Sequence, residues 1–244
     1  MNPPTFLLPG WCLGQGPLRA LASTLDACLL DLPGYGKAPL APSFDAAVDQ
    51  IADSLPDACA LGGWSLGAML ALAVAARRPG KVDRLLLIAG TASFVARPGW
   101  QHAMAPAELA AFSAAAIADI DAALPRFVAN FCRGDGRARA VMRACLDLAD
   151  PRPSGATCGA TFAATLATGL AWLRDADLRA EARAVACPTL LLHGAADPLM
   201  PLAAAESLTG LLPDARLVAL PGTAHAPFLS DPERTIRAAA AFLR

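Results

Sequence analysis

The chain has 244 residues, of which 55% are hydrophobic and 17% charged, with a formal net charge of −1. That length and composition describe one compact unit with a large core and exclude an intrinsically disordered protein. The near-zero charge excludes a global field for nucleic acid or an anionic membrane surface, so any charged partner must meet a local patch.

Met1-Asn2-Pro3-Pro4-Thr5 has no basic segment leading into an apolar signal region. No apolar stretch reaches the roughly 18 residues that span a bilayer without a Gly, Pro or charge intervening. A cytoplasmic protein is expected. Thr5–Leu8 is a short apolar run ending at Pro9-Gly10, Ala27–Asp31 ends at Pro33-Gly34, and Ala58–Leu61 runs into Gly63-Trp64-Ser65-Leu66-Gly67. Apolar runs punctuated in this way predict buried parallel strands. Ser43–Ser54 and Ser65–Arg78 predict helices, the second closed by Pro79-Gly80. Arg84–Ala89, Thr189–His193 and Arg216–Leu220 repeat the strand pattern. Strands alternating with helices predict a doubly wound, mostly parallel α/β sheet.

Between Ile88 and Thr189 the alternation gives way to an Ala-rich stretch punctuated by Pro106, Pro125, Pro151 and Pro153. Helices are predicted at Pro106–Ala116, Ile120–Phe131, Arg137–Ala149 and Gly159–Leu173. The expected organisation is a core of residues 1–97 and 177–244 with a helical cap, 98–176, inserted into it. Cys12, Cys28, Cys59, Cys132, Cys145, Cys158 and Cys187 are scattered, odd in number and free of Cys-x-x-Cys spacing. Most read as small core residues in a reducing compartment. The three histidines lack ligand spacing, so no metal and no other cofactor is expected.

Gly63-Trp64-Ser65-Leu66-Gly67 lies between a predicted strand and a predicted helix, where a sharp turn exposes a serine hydroxyl at the top of a sheet. The pentapeptide alone is common by chance; its position makes it a nucleophile elbow. A serine hydroxyl needs a base, and the base needs an acid to fix its tautomer. His225, in the turn-rich Pro221–Phe228 that follows the last strand, is the expected base. Asp197 follows the preceding strand and is the expected acid, although an aspartate before a proline also occurs as a plain turn residue. The order Ser65, Asp197, His225 is the α/β-hydrolase order and differs from those of chymotrypsin-like and subtilisin-like proteases. The oxyanion donors are expected from the backbone of Leu66 and Trp11. His193 reads as a buried residue near the acid, and His102 as a surface residue.

Leu8-Pro9-Gly10-Trp11, Asp31-Leu32-Pro33-Gly34-Tyr35-Gly36, the Trp-Ser-Leu-Gly elbow and Ala224-His225-Ala226-Pro227-Phe228 together resemble the BioH-like pimeloyl-[acyl-carrier protein] methyl ester esterases of the α/β-hydrolase superfamily. The resemblance covers nearly the whole chain. It implies hydrolysis of a carrier-linked methyl ester in biotin synthesis, with Ser65, Asp197 and His225 as triad and Trp11 and Leu66 as oxyanion hole. It further implies that Trp11, Leu13, Trp64, Phe127 and Phe131 meet the substrate, with Arg126 beside Phe127. Arg139 and Arg143, at i and i+4, would present one face to an acidic acyl carrier protein. Arg126, Arg133 and Arg137 lie close in sequence, against the single Asp135; such a run also occurs as an ordinary solvated helix face. A monomer is expected.

The chain departs from the family in having Pro9-Gly10 where most relatives have His-Gly. Only four residues precede the first strand, so a trimmed sheet of about six strands is expected, without the leading antiparallel hairpin and with the second family strand exposed at one edge. Two other readings remain: a broad carboxylesterase, lactonase or thioesterase for small acyl compounds, and a hydrolase scaffold that binds without turnover.

Overall fold

The computed structural model describes residues 3–151 and 156–244. Met1, Asn2, Pro153 and the side chain of Cys158 lie outside the described residues. In chain order, β1 (Thr5–Leu8), α1 (Arg19–Thr24), β2 (Ala27–Leu29), α2 (Phe44–Ser54), β3 (Cys59–Trp64), α3 (Leu66–Arg77) and β4 (Val82–Ile88) alternate strand with helix. Four helices follow: α4 (Pro106–Ala118), α5 (Ile120–Phe131), α6 (Ala138–Leu148) and α7 (Ala156–Asp175). Then come α8 (Arg179–Ala184), β5 (Thr189–Gly194), α9 (Leu202–Leu211), β6 (Ala215–Leu220), α10 (Pro227–Ser230) and α11 (Pro232–Leu243).

The strands form one six-stranded sheet in the order β2-β1-β3-β4-β5-β6, and every neighbouring pair is parallel. Parallel pairing puts all six carboxyl ends on one side, the side on which open α/β sheets carry their sites. The register aligns Leu8 with Gly63, Trp64 with Ile88, and Gly194 with Leu220. Consequently the segments leaving β1, β3, β5 and β6 meet above one edge.

β3 and β5 are buried at every position, whereas β2 and β6, at the two edges, are only partly covered. The exposed edge expected from the sequence falls to β2, the second strand of the chain. It is shorter than the predicted Ala27–Asp31, its ladder ending at Leu29, and the Asp31 carboxylate accepts from Gln15 Nε2 at 2.6 Å. β3 runs further than predicted, to Trp64. Gly62 makes this extension fit, since a Cβ there would stand 2.5 Å from Leu7 Cδ2.

Helix α3 is buried from Leu66 to Ala75, which explains its almost uniformly apolar sequence. α2 starts where Ser43 caps it, its side chain accepting from Ala46 N at 3.1 Å. α6 is two-sided: Val141 and Cys145 face inward while Arg139 and Arg143 are exposed. Pro125, a breaker in the sequence, lies within α5 without ending it.

Cys59, Cys132, Cys145 and Cys187 are buried, while Cys28 is exposed on the edge strand. Burial pushes the thiols of Cys59 and Cys187 up to about 11 and that of Cys132 up to about 12. Thiols held that high are packing groups, not thiolate nucleophiles.

Candidate active site

Ser65 stands in the turn between β3 and α3 with φ 57° and ψ −119°, a conformation that L-residues rarely adopt. Its amide donates to the Ile88 carbonyl at 3.0 Å, which pins the turn to β4. The flanking glycines are required by contact. A Cβ on Gly63 would lie 2.2 Å from the Gly67 carbonyl oxygen, and one on Gly67 would lie 2.3 Å from that of Pro9. Strand, turn and helix therefore approach more closely than any side chain permits, and the serine is lifted clear at the crest.

The loop after β6 brings His225 to this crest, and the loop after β5 brings Asp197. His225 Nε2 is 2.9 Å from Ser65 Oγ, and His225 Nδ1 is 2.7 Å from Asp197 Oδ2. An ionised carboxylate can only accept, so the imidazole hydrogen sits on Nδ1 and the lone pair of Nε2 faces the serine hydroxyl. Asp197 Oδ1 accepts from Leu199 N at 2.9 Å and Met200 N at 3.0 Å. Burial alone would raise the Asp197 pKa, but the charge and hydrogen bond of His225 outweigh it and hold the carboxyl below its ordinary value. The structure thus brings together all three residues picked from the sequence.

His193, at the end of β5, is wholly buried beside this group. Its Nε2 donates to the Met200 carbonyl at 2.6 Å and stands 3.7 Å from Asp197 Oδ2, while Nδ1 has no hydrogen-bond partner among the described residues. Burial lowers its pKa and keeps the ring neutral. It supports the turn that cradles Asp197. His102 is exposed.

The loop after β1 carries Trp11. Neither the Trp11 nor the Leu66 amide donates to a backbone acceptor among the described residues. Leu66 opens α3, so its N–H is one of the unpaired donors that every helix start leaves. The Trp11 loop is held from two directions. The Tyr35 hydroxyl accepts from Cys12 N at 3.0 Å, where Cys12 takes φ 76°. On the other side Asp150 N donates to the Leu13 carbonyl at 3.0 Å, and Gln15 N donates to Asp150 Oδ2 at 2.7 Å. Sequence reasoning assigned Tyr35 and Asp150 no role; the Pro33-Gly34-Tyr35-Gly36 turn was the available signal for the first.

A cavity of about 450 Å³ opens over Ser65 and His225, within the usual range for small-molecule sites. Trp11 and Leu13 line it from the loop after β1, Trp64 from the end of β3, and Phe127 and Phe131 from α5. Phe112 of α4 also lines it, a residue sequence reasoning missed although Leu109 and Phe112 form an apolar i, i+3 pair. Phe112 stacks on Phe127 with centroids 4.9 Å apart, and Trp11 meets both edge-on at 5.5 and 5.4 Å. The Trp11 indole donates to the Leu166 carbonyl of α7 at 3.0 Å, so this wall is tied to α7. Glu108, Arg126, Asn130 and Arg133 supply the polar lining.

The arginine-rich stretch divides. Arg126 and Arg133 line the cavity, whereas Arg137 donates to the Ser230 carbonyl at 2.9 Å. Arg139 and Arg143 stand on the exposed face of α6, away from the cavity; Arg143 lies 3.3 Å from Asp147. Asp135 is buried. Among the described residues no helix is long and apolar enough to cross a membrane.

Residues 6–238 match the model of the Alpha/beta hydrolase family. The chain is 41% identical over 246 residues to the pimeloyl-[acyl-carrier protein] methyl ester esterase of Aromatoleum aromaticum, covering 95% of this chain and 94% of that one. It is 35% identical over 243 residues to the biotin biosynthesis bifunctional protein BioHC of Cellvibrio japonicus, covering 97% of this chain and 47% of that longer protein. Among solved structures, an esterase from Exiguobacterium antarcticum superposes with a TM-score of 0.78 at 20% identity, covering 100% and 93% of the two chains. At that identity the likeness speaks for the fold alone.

Proposed function

Because this chain belongs to the alpha/beta hydrolase family and, within it, to the BioH-like pimeloyl-[acyl-carrier protein] methyl ester esterases, we propose that Ser65, His225 and Asp197 are the catalytic triad with which it performs that family's reaction. It is a carboxylic-ester hydrolase of biotin synthesis. The observation that carries the triad assignment is the continuous chain from Ser65 Oγ through His225 to Asp197, with links of 2.9 and 2.7 Å.

In this reading Ser65 Oγ attacks the methyl ester carbonyl as His225 Nε2 takes its proton. The Trp11 and Leu66 amides receive the oxyanion, a role favoured by their lack of a backbone acceptor. Protonated His225 then gives its proton to the departing methanol. Water, deprotonated by the same histidine, opens the acyl-enzyme and releases the free carboxylate with Ser65 restored. Asp197 stays ionised and stabilises the imidazolium formed in each half. The steps require no metal or organic cofactor. Pro9 in place of the family's histidine leaves the proposed donors intact, since both are backbone groups.

We take residues 98–176 as a cap over a core of 1–97 and 177–244. Its aromatic wall, Phe112, Phe127 and Phe131, suits an apolar acyl chain. Arg126 lines the same cavity, and Arg139 and Arg143 offer the exposed positive charge that an acidic carrier protein would meet. We read the enzyme as a cytoplasmic monomer. Rescue of a biotin-requiring strain that lacks its own esterase tests this reading. Growth without biotin is expected. Failure with well-expressed protein that still cleaves short free esters would leave a broad carboxylesterase instead.

A further inference from the structure

The loop that follows α5 contains a carboxylate that the proposed chemistry does not use. Asp135 is only 8% exposed, yet among the described residues its side chain is in no salt bridge. Both of its oxygens are occupied. Oδ2 accepts from the amide of Ala224, the residue before His225, at 2.9 Å. Oδ1 accepts from Ser230 Oγ at 2.8 Å and from the amide of Arg137 at 2.7 Å. Backbone bonds run parallel to these: Gly136 N donates to the Gly222 carbonyl at 2.9 Å, and His225 N donates to that of Phe131 at 3.4 Å. The Arg137 guanidinium closes the far end on the Ser230 carbonyl. The segment from Phe131 to Arg137 therefore grips the whole histidine loop, from Gly222 to Ser230.

We propose that Asp135 is a positioning residue for His225, fixing the imidazole over Ser65 from the side of the helical insertion. The inference rests on the triad reading above. A buried carboxyl group is costly unless its acceptor sites are filled, and here three donors fill them, two from the histidine loop and α10. His225 has no bond of its own to Asp135, so the effect passes through the Ala224 amide. A shift of about 1 Å in a general base costs on the order of 100-fold in rate. Because Asp135 is absent from the cavity lining, its loss should leave substrate binding untouched.

The test is Asp135→Asn, which keeps the shape but replaces one acceptor oxygen with an amino group, assayed on a short chromogenic ester that needs no carrier protein. The expected result is a fall in kcat of about 10- to 100-fold with KM within about twofold of wild type. Ser230→Ala, which removes a single donor, should give a smaller fall. The double variant should be no worse than Asp135→Asn alone, since both act through one carboxylate. Unchanged kcat in folded Asp135→Asn would overturn the proposal. So would a loss that disappears on cooling below the variant's unfolding transition, which marks a purely structural role. If Asp135→Asn does not fold, Ser230→Ala decides: a kcat fall at constant KM supports the proposal and wild-type kcat overturns it. Should wild type cleave no ester at all, the triad reading itself fails, a result distinct from either.

Discussion

The indole N–H of Trp64 donates to the backbone carbonyl of His225 at 2.8 Å, joining the residue before Ser65 to the histidine that faces it. The indole also packs edge-on against Phe228, with centroids 5.1 Å apart, and lies 5.8 Å from the His225 ring. Trp64 is therefore both part of the cavity wall and a second support for the histidine loop, beside that from Asp135.

Trp64→Phe keeps an aromatic ring but leaves the buried His225 carbonyl without this donor. An unsatisfied buried acceptor costs about 1–3 kcal/mol. The variant is expected to unfold at lower temperature and to lose about tenfold in kcat on a short ester. Thermal melts and steady-state kinetics check both.

Tyr35→Phe removes the hydroxyl that accepts from Cys12 N and so loosens the turn carrying the Trp11 amide. The expected signature is a fall in kcat of about tenfold or more with little change in KM, because oxyanion donors act on the transition state. Weaker inhibition by a boronic acid, which mimics the tetrahedral state, should accompany it. Wild-type inhibition would remove the Trp11 loop from the oxyanion site.

The buried His193 makes acid stability a second readout. Its folded pKa is lowered from 6.5, so on acidification the unfolded chain takes up the proton first. The corresponding stability is whole above about pH 6.5 and is lost as pH falls toward the folded value, by at most about 1.4 kcal/mol per pH unit. His193→Gln cannot charge. Between about pH 7.5 and pH 5 its melting temperature is expected to fall less steeply than that of wild type; parallel curves would show that His193 does not carry the effect.

Two glycines give opposite expectations for the same substitution. Gly67→Ala would set a Cβ 2.3 Å from the Pro9 carbonyl oxygen and 2.5 Å from that of Leu8, both backbone atoms of β1 and its loop. Overpacking of this kind costs about 1–3 kcal/mol or more. Gly210, in α9, has nothing within 4 Å of a built Cβ, so Gly210→Ala is expected to stabilise the protein by about 0.5–1 kcal/mol. Denaturant unfolding of the two variants separates the steric requirement at the elbow from a general intolerance of glycine replacement.

The parts of the site legible in the sequence were those set by local chain chemistry. Gly63 and Gly67 announce a turn that tolerates no side chain, and Asp197 and His225 follow runs that become the buried strand β5 and the edge strand β6. α5 appears over the predicted Ile120–Phe131 because its apolar residues recur at helical spacing. What stayed hidden depends on contacts between distant segments. Asp135 looked like the lone acid in a basic stretch, but it turns inward to Ala224, 89 positions away. Arg137 was counted with the basic patch, yet its guanidinium is bound to Ser230. Asp150 meets Gln15 N across 135 positions, and no periodicity signals such a pairing. β2 ends at Leu29, short of the predicted Asp31, whose carboxylate meets Gln15 from another segment.

The central claim is that Ser65, activated by His225 and Asp197, removes the methyl group from a carrier-linked acyl ester. Mass spectrometry of intact pimeloyl-acyl carrier protein methyl ester, incubated with wild type or with Ser65→Ala, measures this directly. Wild type is expected to convert the carrier to the species lighter by one methylene, whereas folded Ser65→Ala should be slower by at least about 10³-fold. Conversion by Ser65→Ala at a rate near wild type would contradict the account.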